Sequence, residues 1–360
     1  MLLRVLLAAA VTVVGAQAGA RMRAAVYTSR TLFSFDVNKV DVVDVNVPRP
    51  GDGEVLVEVQ ASNINPVDHK IVQMAGLLWS YPHKLGFDLA GIVRAVGPGC
   101  QRVKVGDEVW GEATTLKEAV LDAGTFAQYA AVSESVLSLK PPRLSMLEAG
   151  AMPMVALTGL DALSWAAGGW GFHGENVTVL VLGGSGGTGH LGIQLAKAMG
   201  AQRVITTCSG NHTDFVKSLG ADQVIDYHKD KFNEVLAAKS VDVVYDCVGL
   251  SGTGDQAAAV IKDHGSFATL LQSGLPGIPT RLRRPDISWK APLCIGACSR
   301  HDRLDRISHM VERGSLQVHI DKVFQLEDIR TAFNHSLAGH STGKVALRIA
   351  QGASPVESYV

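Results

Sequence analysis

The sequence predicts an α/β protein in two parts: an antiparallel β-rich stretch from Met22 to about Ala131, and a doubly wound parallel sheet between about Glu148 and Ala297. Three observations predict it. In the first part Val55, Val57 and Val59 alternate with Leu56, Glu58 and Gln60, the period of a strand. In the second, short apolar runs alternate with helix-length patterns, the rhythm of repeated strand–helix units. Between the first such strand and the first such helix stands Gly183-Gly184-Ser185-Gly186-Gly187-Thr188-Gly189.

The chain has 360 residues, a length that suits about two domains. Its 33 Lys+Arg stand against 34 Asp+Glu, a formal net charge of −1. That balance excludes a general electrostatic attraction to nucleic acid or to an anionic membrane surface. With 47% hydrophobic and 19% charged residues, disorder of the whole chain is excluded as well. Glycine is high, 38 residues without a collagen-like period, which predicts many tight backbone positions.

Residues 1–20, MLLRVLLAAAVTVVGAQAGA, carry one early cation, Arg4, then an apolar run from Val5 to Val14 and small residues in A-x-A spacing at Ala16, Ala18 and Ala20. This is the layout of a cleavable secretory signal. The run is short for a membrane helix, so no span is expected in the mature chain. The expected destination is the secretory pathway or an organelle entered through it; the alternatives are an uncleaved anchor, or translation from Met22, which would leave the protein cytoplasmic. Five cysteines, Cys100, Cys208, Cys247, Cys294 and Cys298, leave at least one without a partner in the chain. Cys208 and Cys247 end strand-like runs and read as buried hydrophobes. Cys294-x-x-x-Cys298 lacks a second Cys/His pair at ligand spacing.

Along the first part, Pro48, Pro50, Gly51 and Gly53 punctuate the approach to the Val55 strand, and Val103 to Trp110 predicts a strand, a Gly-Asp turn and a strand. In the second part Val177 to Leu182 is apolar except for Thr178, as in a strand covered on both faces. A helix is expected over 188–199, then a strand over 204–207, a helix ending at Leu219, a strand over 224–226, a helical stretch over 232–238 and a strand over 241–246. Met199-Gly200-Ala201-Gln202-Arg203-Val204 is echoed by Leu219-Gly220-Ala221-Asp222-Gln223-Val224; each glycine supplies a left-handed helix stop. A further strand is expected over 267–271. After Arg300 follow a helix (304–313), a strand (318–324), a helix (326–338) and a closing strand (344–349). The tail, 351–360, shows no sustained period.

Gly184, Gly186 and Gly189 satisfy G-x-G-x-x-G between a buried strand and a helix, the context that fingerprint requires. The first glycine permits a tight turn, the second lets backbone approach a pyrophosphate, and the third lets helix and strand pack closely. The helix N-terminus offers free N–H groups to the anion. Gly184, Ser185, Gly186, Gly187, Thr188 and Gly189 are therefore expected to bind a dinucleotide. An NAD site places a carboxylate at the end of the next strand, for the ribose 2′-hydroxyl. Here that strand ends Thr206-Thr207-Cys208-Ser209, followed by His212 and Lys217. Hydroxyl, imidazole and ammonium donors suit a 2′-phosphate, so the expected cofactor is NADPH.

These motifs carry a resemblance: MRAAVY at Met22, ASNINPVDHK at Ala61, LGFDLAGIV at Leu85, VKVGDEVWG at Val103, MPMVALTGLDAL at Met152, LGGSGGTGHLGIQLAKAMGA at Leu182, KSLGADQVIDY at Lys217, VVYDCVG at Val243 and GKVAL at Gly343. From Met22 to about Ile349 the chain resembles the medium-chain dehydrogenases/reductases, in their zinc-free quinone oxidoreductase and enone reductase (zeta-crystallin-like) branch. The resemblance implies a GroES-like catalytic domain from residues 22–150 and 299–350 around a Rossmann domain over 151–298. It implies that Tyr227, in VIDY, approaches the 2′-phosphate, that Thr158 contacts the nicotinamide carboxamide, and that Val248, in VVYDCVG, belongs to the cofactor site. Relatives often carry Lys near the position of His212. Zinc relatives have a G-H-E motif, whereas here Gly86-Phe87-Asp88 puts Phe where the imidazole ligand would be, so no zinc is expected.

Without a metal Lewis acid, the natural chemistry is hydride transfer from NADPH to a quinone or to the β-carbon of an α,β-unsaturated carbonyl. By the resemblance, Asn65 stands beside the nicotinamide, and Lys70 matches the Lys of N-P-x-D-x-K, where a cation can bind the substrate oxygen. Asn-Pro and Asp68 are equally strong turn formers. Trp79 and Tyr81 are candidates to stack on a flat acceptor. Enoyl-thioester reductases of this type have a tyrosine near the positions of Leu77 and Leu78, which weakens that alternative. A second alternative is an NADPH-binding sensor or structural protein with little turnover. A homodimer is possible, with the run after Phe267 as a candidate sheet edge.

Overall fold

A computed structural model describes residues 20–31, 34–77, 79–113, 124–174, 176–291 and 300–349. The leader reading (apart from Ala20), the Cys294/Cys298 pair and the 351–360 tail fall outside them.

The β-rich part contains β1 (Arg21–Tyr27), β2 (Val40–Asn46), β3 (Glu54–Ile64), β4 (His83–Lys84), β5 (Asp88–Val96), β6 (Glu108–Glu112), β7 (Tyr129–Ser133) and β8 (Leu137–Leu139). β3 is the spine. Its valines enter the main apolar core of this part, while Leu56, on the opposite face, packs with Met22, Ala24, Val47 and Tyr129. The alternation in sequence therefore does not divide a buried face from a wet one: both faces are covered, and Glu58 is tolerated because Arg94 donates to it, Nε to Oε2 at 2.7 Å. The expected strand before Gly106 does not form. Val103 is buried but unpaired, and Lys104 to Asp107 closes a turn in which the Lys104 N–H donates to Asp107 Oδ2 at 2.9 Å.

The parallel sheet consists of β9 (Thr178–Leu182), β10 (Arg203–Cys208), β11 (Gln223–Asp226), β12 (Val241–Asp246), β13 (Ile261–Thr269) and β14 (Ser288–Lys290), ordered β11-β10-β9-β12-β13-β14. The order turns back between β9 and β12, the switch point where α/β sheets bind ligands. The echoed glycines behave alike. Gly200 (φ +98°) and Gly220 (φ +104°) both stop helices in the left-handed region, and β10 and β11 each begin three residues later. β13 starts at Ile261, earlier than expected, and β14 lies outside it, so the sheet edge is at 288–290 and not along the run after Phe267.

Two chain-end strands, β15 (Ile320–Gln325) and β16 (Lys344–Arg348), return to the first part. β16 pairs antiparallel with the last turn of β3, Val345 opposite Ile64. That register sets Lys344 beside Asn65.

The described helices are α1 (Pro66–Ala75), α2 (Met146–Ala151), α3 (Pro153–Ala166), α4 (Gly189–Ala198), α5 (Thr213–Ser218), α6 (Phe232–Val235), α7 (Thr253–Val260), α8 (Ile278–Arg283), α9 (His301–Glu312) and α10 (Ile329–Leu337). α3 packs on strands of both sheets and buries Val155, Leu157, Leu160 and Leu163. It thus fixes how the two parts meet. No described helix is long and apolar enough to cross a membrane.

Candidate active site

A cavity of about 450 Å³ lies between the parallel sheet and the sheet that holds β3 and β16. Gly183, Gly186, Gly187, Thr188 and Gly189 line it from the parallel sheet, with Cys247 and Val248 beyond β12. Asn65 and Lys70 line it from the start of α1, Thr158 from α3 and Lys344 from β16. Residues of the glycine loop and of the Asn65–Lys70 segment, more than a hundred positions apart, thus share one mostly apolar chamber.

Asn65 is the hub of its polar wall. The expected turn is a helix start: Asn65 is the N-cap of α1, Pro66 is its first residue, and the Asp68 carboxylate accepts from the Asn65 N–H at 2.5 Å. The Asn65 side chain faces two charges. Its Nδ2 donates to Asp88 Oδ2 at 2.8 Å, and its Oδ1 accepts from Lys344 Nζ at 2.5 Å. Asp88 also accepts from Asn63 Nδ2 at 2.7 Å and from the Met154 N–H at 2.9 Å. Every one of these partners is a donor, so the site is built for an ionised Asp88. Asp88, Asp68, Asn65 and Lys344 are all buried. Burial raises the Asp88 carboxyl, against the pull of Lys344 and the two amides. Burial also lowers the Lys344 ammonium to about 8, against the pull of Asp88 and Asp68. Lys70 is half-buried, and burial lowers its ammonium too. It has no hydrogen-bond or ion-pair partner among the described residues. Lys344 and Asp88 were both within quoted motifs, but nothing in the sequence assigned them a role: their link runs through Asn65, and the Lys344–Asn65 contact spans 279 positions.

The glycine loop divides its work. A Cβ on Gly184 would collide with the Thr206 side chain, and one on Gly189 with the Gly183 carbonyl; these two glycines permit packing, and Gly184 and Ser185 do not line the cavity. A Cβ on Gly186 would come no closer to protein than 3.4 Å, at the Gly183 carbonyl. Little in the protein excludes a side chain there, and the position faces the cavity. Such a bare backbone cradle at the start of an uncapped helix fits a dinucleotide pyrophosphate. Gly187 has another neighbour: its Cβ would stand 3.3 Å from Lys344 Cδ. The Gly343 N–H also donates to the Ser185 carbonyl at 2.9 Å, so the loop and β16 are joined directly.

Ser209, His212 and Tyr227 gather at the adjoining ends of β10 and β11, away from the chamber. Ser209 precedes a short 3₁₀ turn ending at His212, and Tyr227 is 57% exposed and rests on His228. A carboxylate not anticipated from the β10 end stands next to them. Asp226 lies under Gly210, accepts from the His228 N–H at 3.1 Å and pairs with Lys229 at 3.6 Å.

Two expectations need correction. Trp79 is only 2% exposed and stacks on His83 in the core of the β-rich part, and Tyr81 gives its hydroxyl proton to the Gly76 carbonyl; neither lines the chamber. Both rings pack onto the β-rich part instead: Trp79 joins its apolar core, and Tyr81 packs against that core beside Tyr27. Cys247, expected to be a buried hydrophobe, is partly buried, packing against the apolar core while it borders the cavity. Phe87 is buried in the apolar core. Leu77 is 40% exposed, and Leu78 lies outside the described residues.

Residues 51–142 match the family model described as an alcohol dehydrogenase GroES-like domain, and residues 219–347 match one described as a zinc-binding dehydrogenase. Among curated proteins the chain is 35% identical over 323 residues to a 2-methylene-furan-3-one reductase of Solanum lycopersicum, covering 87% of this chain and 76% of that protein. It is 32% identical over 328 residues to an Arabidopsis thaliana chloroplastic NADPH-dependent alkenal/one oxidoreductase, covering 87% and 77%. Among solved structures, a quinone oxidoreductase from Coxiella burnetii superposes with a TM-score of 0.78 at 28% identity, covering 92% of this chain and 100% of that one. With its GroES-like part, its parallel sheet and these relatives, the chain belongs to the medium-chain dehydrogenase/reductase superfamily, in the branch of quinone and enone oxidoreductases.

Proposed function

We propose that this oxidoreductase uses NADPH to reduce a quinone, or the C=C bond of an α,β-unsaturated carbonyl, without a metal. The observation that carries the reading is the single chamber lined by both the bare Gly186 cradle and the Asn65/Lys70/Lys344 wall. The relatives named for enone, alkenal and quinone substrates support the same acceptor class. Gly186, Gly187 and Thr188 would hold the pyrophosphate, Thr158 and Val248 the nicotinamide side, and Ser209, His212 and Tyr227 the 2′-phosphate. When bound, NADPH supplies the hydride. The protein's part is to exclude water with apolar walls and to meet the negative charge that grows on the acceptor oxygen. Lys70 is the candidate for that contact, and Asn65 orients the wall. In this reading residues 22–150 and 299–350 form the catalytic domain and 151–298 the cofactor domain.

The metal-free reading rests on Phe87, a core residue where zinc relatives carry a ligand. Among the described residues no group of three or more His, Cys, Asp or Glu gathers to hold a metal ion. The signal at residues 1–20 and delivery to an organelle belong to the proposal too; one relative is named as chloroplastic.

The test is NADPH consumption with a panel of quinones, 2-alkenals, cyclic enones and enoyl thioesters. The expected result is turnover with quinones and enones and little with thioesters. Tight NADPH binding without turnover on any acceptor would instead favour a sensor or structural role.

A further inference from the structure

Reducing a C=C bond takes a hydride at one carbon and a proton at the other. A quinone differs, because its product oxygens exchange protons with water unaided. Among the described residues the chamber wall offers two ammonium groups. Lys70 is half-buried and unanchored. Lys344 is 3% exposed, its stem lies along Gly187, and its Nζ is pinned by Asn65, itself tied to Asp88. One of its three N–H groups has a partner among the described residues, and the residue is part of the chamber wall.

We propose that Lys344 is the general acid for C=C reduction, giving its proton to the α-carbon of an unsaturated carbonyl acceptor. The inference rests on the proposed reductase activity. Hydride from that activity forms the new C–H bond at the β-carbon and moves the C=C electron pair toward the carbonyl oxygen. An N–H bond of Lys344 then breaks as the enolate pair takes its proton at the α-carbon, and the neutral amine regains a proton from water. One NADPH and one proton are consumed per saturated carbonyl formed.

The neighbourhood suits that cycle. Asp88 on β5 and Asp68 on α1 favour the cation; burial opposes it and brings release near neutral pH, with a pKa of about 8. The other titratable groups around it are Lys70 on α1, Glu112 on β6, His190 on α4 and His319 ahead of β15. His190 is held neutral, because burial lowers it to about 4, and it accepts from the His319 N–H at 3.2 Å.

The test compares an acyclic enone with an ortho-quinone from pH 6 to 9.5 in the wild type and in Lys344→Met, Lys344→Arg and Glu112→Gln. NADPH affinity is followed separately by fluorescence quenching. Lys344→Met should lower kcat with the enone by about 100-fold or more, at least about 10-fold more than it lowers quinone kcat, with an NADPH Kd change too small to account for the difference. Lys344→Arg keeps the charge and the N–H groups but is too weak an acid to release a proton near neutral pH, and should show the same enone-selective loss. In the wild type, enone kcat should fall above about pH 8 while quinone kcat stays flat, a readout that needs no variant to fold. Equal losses on both acceptors, a loss confined to NADPH affinity, a flat wild-type enone profile, or enone-selective loss in Glu112→Gln alone would each overturn the assignment. If the wild type binds NADPH but reduces neither acceptor, the reading of function fails first and this inference falls with it.

Discussion

Asn65 holds two opposite charges with one amide, its oxygen toward Lys344 and its nitrogen toward Asp88. Truncating it leaves a buried carboxylate and a buried ammonium each short of a partner. Asn65→Ala should therefore lose about 2 kcal/mol of stability or more in chemical denaturation, and Asp88→Ala about 3–5 kcal/mol, because it strands the cation. Gly186→Val fills the cradle, so NADPH Kd measured by quenching should rise by about 100-fold or more, roughly 3 kcal/mol. Unchanged affinity would displace the cofactor site from this loop. Lys70→Ala should lower kcat by about 10-fold or more while NADPH Kd stays within about twofold; wild-type values for both would make Lys70 a bystander. Asn65 and Lys70 were legible because they lie within one short motif. Lys344 was not, since its contact depends on β16 pairing with β3, and no local pattern reports on that.

At the scale of elements, pattern reading worked where one face or both were buried consistently. β12 matches its expected span residue for residue, and β9, β10 and β11 differ by a residue or two. α1 was hidden because Pro66 and Asp68 serve turns and helix starts equally well. α3 was hidden for another reason. Packed between two sheets, it is apolar on most sides and lacks the stripe that marks a surface helix. α4 carries a testable consequence of its own. His190 is fully buried, its Nδ1 meets the Gly186 carbonyl at 3.0 Å, and burial lowers it to about 4. The unfolded chain protonates this histidine near pH 6.5 and the folded chain does not. Stability is then fully present above about pH 6.5 and falls as the pH drops toward 4, by about 3 kcal/mol from this group. His69, which burial also lowers to about 4, contributes over the same range, so denaturation curves should show the slope and His190→Gln should reduce it without abolishing it; equal slopes in the two proteins would remove His190 from the account.

At the scale of the molecule, the two-part architecture follows from a change of rhythm along the chain, from period-2 strands to strand–helix repeats. The return of the chain end to the first sheet was implied by family resemblance and not by composition, because β15 and β16 look locally like any other strands. That return closes the chamber, with the parallel sheet bringing the glycine loop and the other sheet the polar wall. The arrangement asks for a hydride donor on one side and an electron-poor double bond on the other. The most direct measurement is the position of label after incubating an α,β-unsaturated ketone with NADPH deuterated at its transferable position. The account predicts deuterium at the β-carbon, a solvent hydrogen at the α-carbon and an intact carbonyl. Deuterium at the carbonyl carbon, with an allylic alcohol as product, would contradict it.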